Sequence, residues 1–221
     1  MNKAKTNYQK QLDEIIARHQ ALNEVPSLLL HTCCAPCSSY TLEYLSQHFS
    51  VTVYFYNPNI SPAAEYQLRV QEQKRLISQL PAKHPISFIE GEYEPKDFFN
   101  IAKGLENEPE GGERCSACFR LRLAHTAAIA AEMNFDYFTT SLTISPLKNA
   151  DKINEIGAEL AQIHATSFLP SDFKKRGGYL RSIQLSRQYN LYRQNFCGCP
   201  FSRQNSDSNP DSNPDSNPDS D

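Results

Sequence analysis

Seven cysteines stand in three tight groups along this chain: Cys33, Cys34 and Cys37, then Cys115 and Cys118, then Cys197 and Cys199. An isolated cysteine is commonly a small buried hydrophobe, but three sets with such close spacing ask for a chemical reason. The N-terminal stretch MNKAKTNYQKQLDEII carries charges where an export signal needs its apolar segment. A cytoplasmic, reducing compartment is therefore expected, in which grouped thiols serve metal or redox chemistry rather than a disulfide scaffold. The longest apolar runs, such as Leu28–Leu30, fall far short of the ~18 residues that a membrane span requires.

The scaffold that must bring these thiols together reads as alternating strands and helices. Tyr8–Leu22 is amphipathic at helical spacing, and SLLLH (Ser27–His31) is a short buried strand running straight into the first thiol group. Pro36–His48 reads as a helix with Pro near its first turn, and VTVYFY (Val51–Tyr56) as a β-branched and aromatic strand. A long helix follows over Ser61–Leu80, with Ser61 as the expected cap and Pro62 at the first helical position. Pro85–Gly91 is a third strand, Pro95–Gly104 a short helix and Asn107–Gly112 a loop. Ser116–Met133 is an alanine-rich helix and Phe135–Thr140 a fourth strand. Asn149–Ile163 is a further helix, and Ser167–Leu169 a last short strand. The alternation predicts an α/β fold, a mostly parallel open sheet with helices on both faces, Rossmann-like or adenine-nucleotide-hydrolase-like.

Ser206–Asp221 reads SDSNPDSNPDSNPDSD and has no apolar side chain. Such a segment cannot repay its ordering entropy and is expected to be a disordered tail. Residues 1–205 are then one domain, long enough to bury a core. The tail's aspartates (Asp207, Asp211, Asp215, Asp219, Asp221) outweigh the whole chain's net charge of −3, so the remainder is mildly basic. Its basicity is clustered. Lys174, Lys175, Arg176, Arg181, Arg187, Arg193 and Arg203 occur with no acid among them, interleaved with Tyr179, Tyr189, Tyr192, Phe196 and Phe201. Cations for phosphates and aromatic faces for unstacked bases suit single-stranded RNA or a tRNA loop. A solvated basic helix packed by its tyrosines has the same composition.

In an open parallel sheet the ligand crevice lies beyond the carboxyl ends of the strands. Cys33, Cys34 and Cys37 follow the first strand directly and belong there. Cys115 and Cys118 lie at the start of the alanine-rich helix, where unpaired N–H groups and the helix dipole favour thiolate over thiol. Cys115, Cys118 and one or two of the first group can make a tetrahedral zinc site, and four thiolates can equally hold a [4Fe–4S] cluster. The adjacent pair Cys33–Cys34 favours the cluster modestly, because zinc knuckles are usually spaced. Cys197–Gly198–Cys199 allows a small-ring disulfide, which departs from relaxed geometry and is readily reduced. That makes it a candidate two-electron store. His31 beside the thiols is either a proton donor or, more simply, a strand-end histidine with satisfied hydrogen bonds.

Six segments together resemble one family: LLLHTCCAPCS (Leu28–Ser38), YFYNPNI (Tyr54–Ile60), RCSACFRLRL (Arg114–Leu123), SLTISPLKN (Ser141–Asn149), DFKKRGGYLRS (Asp172–Ser182) and YRQNFCGCPFS (Tyr192–Ser202). They are similar, in order, to the epoxyqueuosine reductases of the QueH type. The resemblance implies the last step of tRNA queuosine synthesis, in which the epoxide on the modified cyclopentyl group is reduced to the alkene. It implies a [4Fe–4S] cluster on Cys33, Cys34, Cys115 and Cys118 and a redox-active pair, Cys197 and Cys199. It also implies an additional iron beside the cluster, for which Cys37 is a candidate ligand by position. The partners expected are tRNA carrying epoxyqueuosine and an electron donor, with no membrane. Two rivals bear on this. An ATP-dependent tRNA-modifying enzyme needs a Gly/Ser-rich phosphate loop after the first strand, where this chain has HTCCAPCS. A zinc-stabilised RNA-binding module without redox activity would leave Cys197 and Cys199 without a role.

Overall fold

The computed structural model describes residues 6–202, so the Asp-Ser-Asn-Pro tail and Arg203 lie outside the described residues. Among the described residues seven helices and four strands follow in order: α1 (Tyr8–Ala21), β1 (Ser27–His31), α2 (Ala35–Leu45), β2 (Ser50–Phe55), α3 (Ala63–Gln79), β3 (Ile86–Glu90), α4 (Pro95–Ala102), α5 (Glu113–Glu132), β4 (Tyr137–Thr140), α6 (Ala150–Ile163) and α7 (Gly178–Gln188). A single 3₁₀ turn, Ser141–Ile144, follows β4. The sheet is wholly parallel, in the order β3-β2-β1-β4. The chain builds outward from β1 to β3 and then returns to place β4 on the other side of β1. The reversal of strand order leaves a crevice at the carboxyl ends of β1 and β4.

β1 is apolar on both sides because both sides are covered. Leu28 and Leu30 pair in register with Val51 and Val53 and face α1, α2 and α3 through Leu12, Ile16, Leu42, Leu45 and Leu76. Leu29 and Phe138 face the opposite layer, where Leu123, Ala127 and Ala130 of α5 meet Ile153, Ile156 and Leu160 of α6. The small Ala127 and Ala130 let α5 lie close against the sheet. Each fully buried leucine contributes roughly 1.5–3 kcal/mol, and β1 is where the two layers share their support.

Three local expectations change. α3 begins at Ala63 with Pro62 in the cap position and no side-chain cap, so Ser61 does not cap it. Instead the Ser61 N–H donates to the Gly198 carbonyl at 2.9 Å, a long-range partner invisible to local reasoning. α5 begins at Glu113, three residues early, and takes Cys115 into its first turn. Ser167–Leu169 makes one bridge, Phe138 to Phe168, rather than a strand.

Candidate metal centre

Three chain segments meet beyond the strand ends. The first leaves β1 through Thr32 and Cys33 and turns into α2, with Cys34 at the N-cap and Pro36 in the first turn. The second is the start of α5. Arg114 anchors it by donating from Nη1 to the carbonyls of Leu105, Glu106 and Glu108 at 3.0, 2.9 and 2.6 Å. The third is a strap, residues 189–199, that ends in Cys197–Gly198–Cys199.

α3 fastens that strap. Arg69 is buried, ion-paired through Nε to Glu65 at 2.7 Å, and donates to the carbonyls of Cys197 and Phe196 at 3.1 and 3.4 Å. Glu65 accepts from the Tyr192 hydroxyl at 3.0 Å, and Glu72 from the Tyr192 N–H at 2.7 Å. Arg75, paired with Glu72, donates to the carbonyls of Tyr189 and Asn190 at 3.0 and 3.1 Å. The strap has no regular structure of its own until Pro200, and these side chains supply the partners its backbone would otherwise lack.

Cys33, Cys34 and Cys37 bring their sulfur atoms within 4.8 Å of one another, close enough to share one ion. Hydrogen bonds from Cys34 and Cys37 hold the Cys33 thiol well below its ordinary range, and Lys148 and Arg122 add to this. The same bonds hold Cys34 up, to about 12, and Cys37 above its ordinary range. Cys115 and Cys118 are not within that one-ion distance of the trio. Ligands on different irons of a cluster stand farther apart than ligands of a single ion, and the trio stands at single-ion spacing.

The dipole expectation for Cys115 and Cys118 is corrected by burial. Desolvation raises Cys118 to about 12, and it raises Cys115 despite a hydrogen bond from the Gly111 N–H at 3.2 Å. Burial likewise raises Cys199. The cost of taking these thiols out of water outweighs the helix terminus, and α5 begins under the strap. All seven cysteines are free thiols.

Two cations join the three groups. Arg122, one turn beyond Cys118 on the same face of α5, is fully buried. Its Nε donates to the Cys118 carbonyl at 3.2 Å and Nη1 to Asn57 Oδ1 at 3.4 Å, while Nη2 is buried without a partner. Among the described residues no carboxylate pairs with it. Burial opposes its charge, but Cys118, Cys197, Cys33 and Cys115 lie close enough to hold its pKa above the ordinary value. Lys148 is the second cation. Burial again opposes its charge, and Cys197, Cys33 and Cys37 outweigh that. Sequence reasoning missed Arg122, Arg69 and Lys148. An arginine four residues from a cysteine, on the helix face that also carries Phe119, Leu123, Ala127 and Ala130, was the available signal for the first.

His31 is committed elsewhere. Its Nε2 donates to the Tyr56 carbonyl at 3.2 Å, and Nδ1 pairs with the Thr140 hydroxyl at 2.9 Å. Burial, then Arg122, lowers its pKa to about 3, so it is the neutral strand-end histidine and not an acid at neutral pH. The Tyr56 hydroxyl is likewise spent on Asp97 at 3.0 Å.

A cavity of about 220 Å³ opens onto Cys115 and Cys197. Its lining includes Glu110 and Glu113, from the start of α5 and the turn before it, and Leu147, Lys148 and Lys152, from around the start of α6.

Fold and site together define a class: an α/β protein whose parallel sheet presents a thiol centre able to hold metal at its switch point. The chain belongs to the epoxyqueuosine reductase QueH family, a family of oxidoreductases, whose model matches residues 28–205. An epoxyqueuosine reductase QueH of Staphylococcus epidermidis is 47% identical over 91% of this chain and 87% of its own length. One from Streptococcus pyogenes serotype M1 is 44% identical over 90% of this chain and 78% of its own, and one from Acinetobacter baylyi 40% identical over 81% and 82%. No helix among the described residues is long and apolar enough to cross a membrane.

Proposed function

We propose that this chain reduces epoxyqueuosine in tRNA to queuosine, using a [4Fe–4S] cluster held by Cys33, Cys34, Cys115 and Cys118 and the pair Cys197 and Cys199. The observation that carries it is Arg122. A buried guanidinium with an unpartnered Nη2 and no carboxylate costs several kcal/mol, on the order of what a missing partner of a buried pair costs. Four thiolates outweigh the charge of a cluster core, so a ligated cluster is the anion this cation lacks. Cys37, beside Cys33 and Cys34 and outside the four cluster ligands, is the thiol left for an additional iron.

When bound, such a centre supplies single electrons and a Lewis-acidic iron for polarising the epoxide oxygen. The chain's own residues complete the balance. Opening the epoxide to the alkene breaks two C–O bonds, takes up two electrons and two protons and releases water. Oxidation of Cys197 and Cys199 from dithiol to disulfide releases two electrons and two protons, which is the same count. An external thiol or flavin-type reductant then regenerates the dithiol. Cys197 lines the cavity, so one thiol of the pair faces the site. The cytoplasm, where reductants of this kind act and tRNA is modified, is the compartment that suits the chemistry.

Anaerobically purified protein should contain iron and sulfide, show cluster absorbance, and convert epoxyqueuosine in tRNA to queuosine, read by nucleoside mass spectrometry. Replacing any of Cys33, Cys34, Cys115 or Cys118 with Ala should remove most of the iron. Cys197→Ser and Cys199→Ser should keep it but lose turnover. Full iron loading in all four alanine variants would sink the ligand assignment. A competing reading, zinc on the Cys33–Cys34–Cys37 trio without redox chemistry, is favoured by their single-ion spacing. It predicts one zinc, no sulfide and no reduction.

A further inference from the structure

Three bases of the segment that composition marks as an RNA surface are ion-paired in the fold. Lys174 pairs with Asp172 at 2.7 Å, Arg176 with Asp13, and Arg181 with both oxygens of Glu43 at 2.6 and 2.9 Å. The last ties α7 to α2, and the Arg176 pair ties the loop before α7 to α1. Lys148 and Lys152 are differently placed. Both line the cavity that opens onto Cys115 and Cys197, and neither forms a salt bridge among the described residues.

We propose that Lys148 and Lys152, with the first turn of α6 behind them, receive an RNA backbone phosphate beside the modified nucleotide. This rests on the function proposed above and locates the RNA path over that site. About 220 Å³ admits a ring-sized group and excludes a folded stem, so the rest of the RNA must lie on the rim. The rim is polarised. Glu110 and Glu113 on the α5 side repel a phosphate, which leaves the α6 side for the backbone. Asn149 caps α6 by accepting from the Lys152 N–H at 3.0 Å, and the N–H groups of that turn add partial positive charge. Asp151, the acid of the same turn, lines a separate cleft with Tyr8, Lys175 and Arg176 instead. Leu147, 77% exposed at the rim, gives an unstacked base an apolar face.

The test uses cluster-loaded protein and a synthetic anticodon stem–loop RNA, with affinity measured across a salt series. Each lost single-strand phosphate contact flattens the log–log salt slope by roughly 0.7. Lys152→Gln, an exposed change that leaves the core untouched, should weaken binding several-fold and flatten the slope by about that amount. Lys152→Arg should retain both. The double variant Lys174→Gln with Arg176→Gln should keep the parent slope. An unchanged slope in Lys152→Gln, loss of slope in the Lys174/Arg176 double variant alone, or no binding by the parent would overturn the surface. The two proposals fail separately. A parent that binds the stem–loop with a lysine-dependent slope but reduces no epoxide keeps this surface and loses the proposed reaction. A parent that reduces the epoxide with Lys152→Gln unaltered keeps the reaction and loses the surface.

Discussion

Arg122 shows how one side chain can be expensive and still define a site. Its guanidinium is surrounded by sulfur and by amide oxygen, with Nη2 unbonded. Arg122→Met, similar in length and uncharged, removes the counter-charge for an anionic centre while preserving the packing of α5. The variant should fold with parent-like helix content yet hold less than half the parent's iron after identical reconstitution, by colorimetric iron analysis. Parent-level iron would mean that the cation serves only the protein fold. Gly198 is constrained differently. Its φ of +102° lies where side chains are strained, and an added Cβ would come 2.9 Å from Ile60 Cγ1 and 3.2 Å from Arg69 Nη1. Gly198→Ala should therefore cost about 1–3 kcal/mol and push the strap off Arg69. Faster alkylation of Cys197 and Cys199, read by mass spectrometry, is the check.

At the scale of elements, α3 acts as a clamp on the strap through Glu65, Arg69, Glu72 and Arg75. Glu72 is the member with a pH signature. Hydrogen bonds from Arg75, then the Tyr192 N–H, hold its carboxyl below the ordinary value of 4.5. Folded Glu72 thus ionises more readily than unfolded Glu72. Its contribution is complete above the unfolded pKa and is lost as pH falls through the lower folded value. Amide exchange over residues 189–199 should accelerate as pH drops below 4.5, beyond the intrinsic trend, while β1 stays protected. Glu72→Gln should show the loose strap already at neutral pH and lose that acid dependence. A strap equally protected in both proteins would assign its hold to Arg69 alone.

The whole molecule is two apolar layers sharing one sheet, with the thiol centre where strand order reverses. Leu28, Leu29 and Leu30 commit adjacent residues of β1 to opposite layers, so losing one layer exposes strand residues that support the other. We propose that residues 1–205 form one folding unit, which gives a single calorimetric transition. Deleting Ser206–Asp221, which has no apolar group to bury, should leave that transition and epoxide turnover unchanged. Two separated transitions would divide the unit, and a clear loss of melting temperature on deletion would show that the tail docks.

Much of this was legible along the chain, because hydrophobic periodicity and apolar runs are local quantities. The SLLLH strand was readable with its ends, the alternation of elements implied a parallel sheet, and the position of Cys33 and Cys34 after β1 put them at the crevice. Several residue-level outcomes were not local. The same basic, aromatic-rich stretch around Lys174–Arg181 reads equally as an RNA surface or a packed helix. Asp13 and Glu43, distant in sequence, turned three-dimensional proximity into ion pairs there. The thiols at the start of α5 were expected to ionise, yet burial beneath the strap raised them, since desolvation sums over every neighbour and not over the nearest turn. The amino-acid order specified which segments carry chemistry. Only the tertiary fold, by deciding which charges lose water and which find partners, set Arg122 and Lys148 among the thiols and gave each cysteine its electrostatic surroundings.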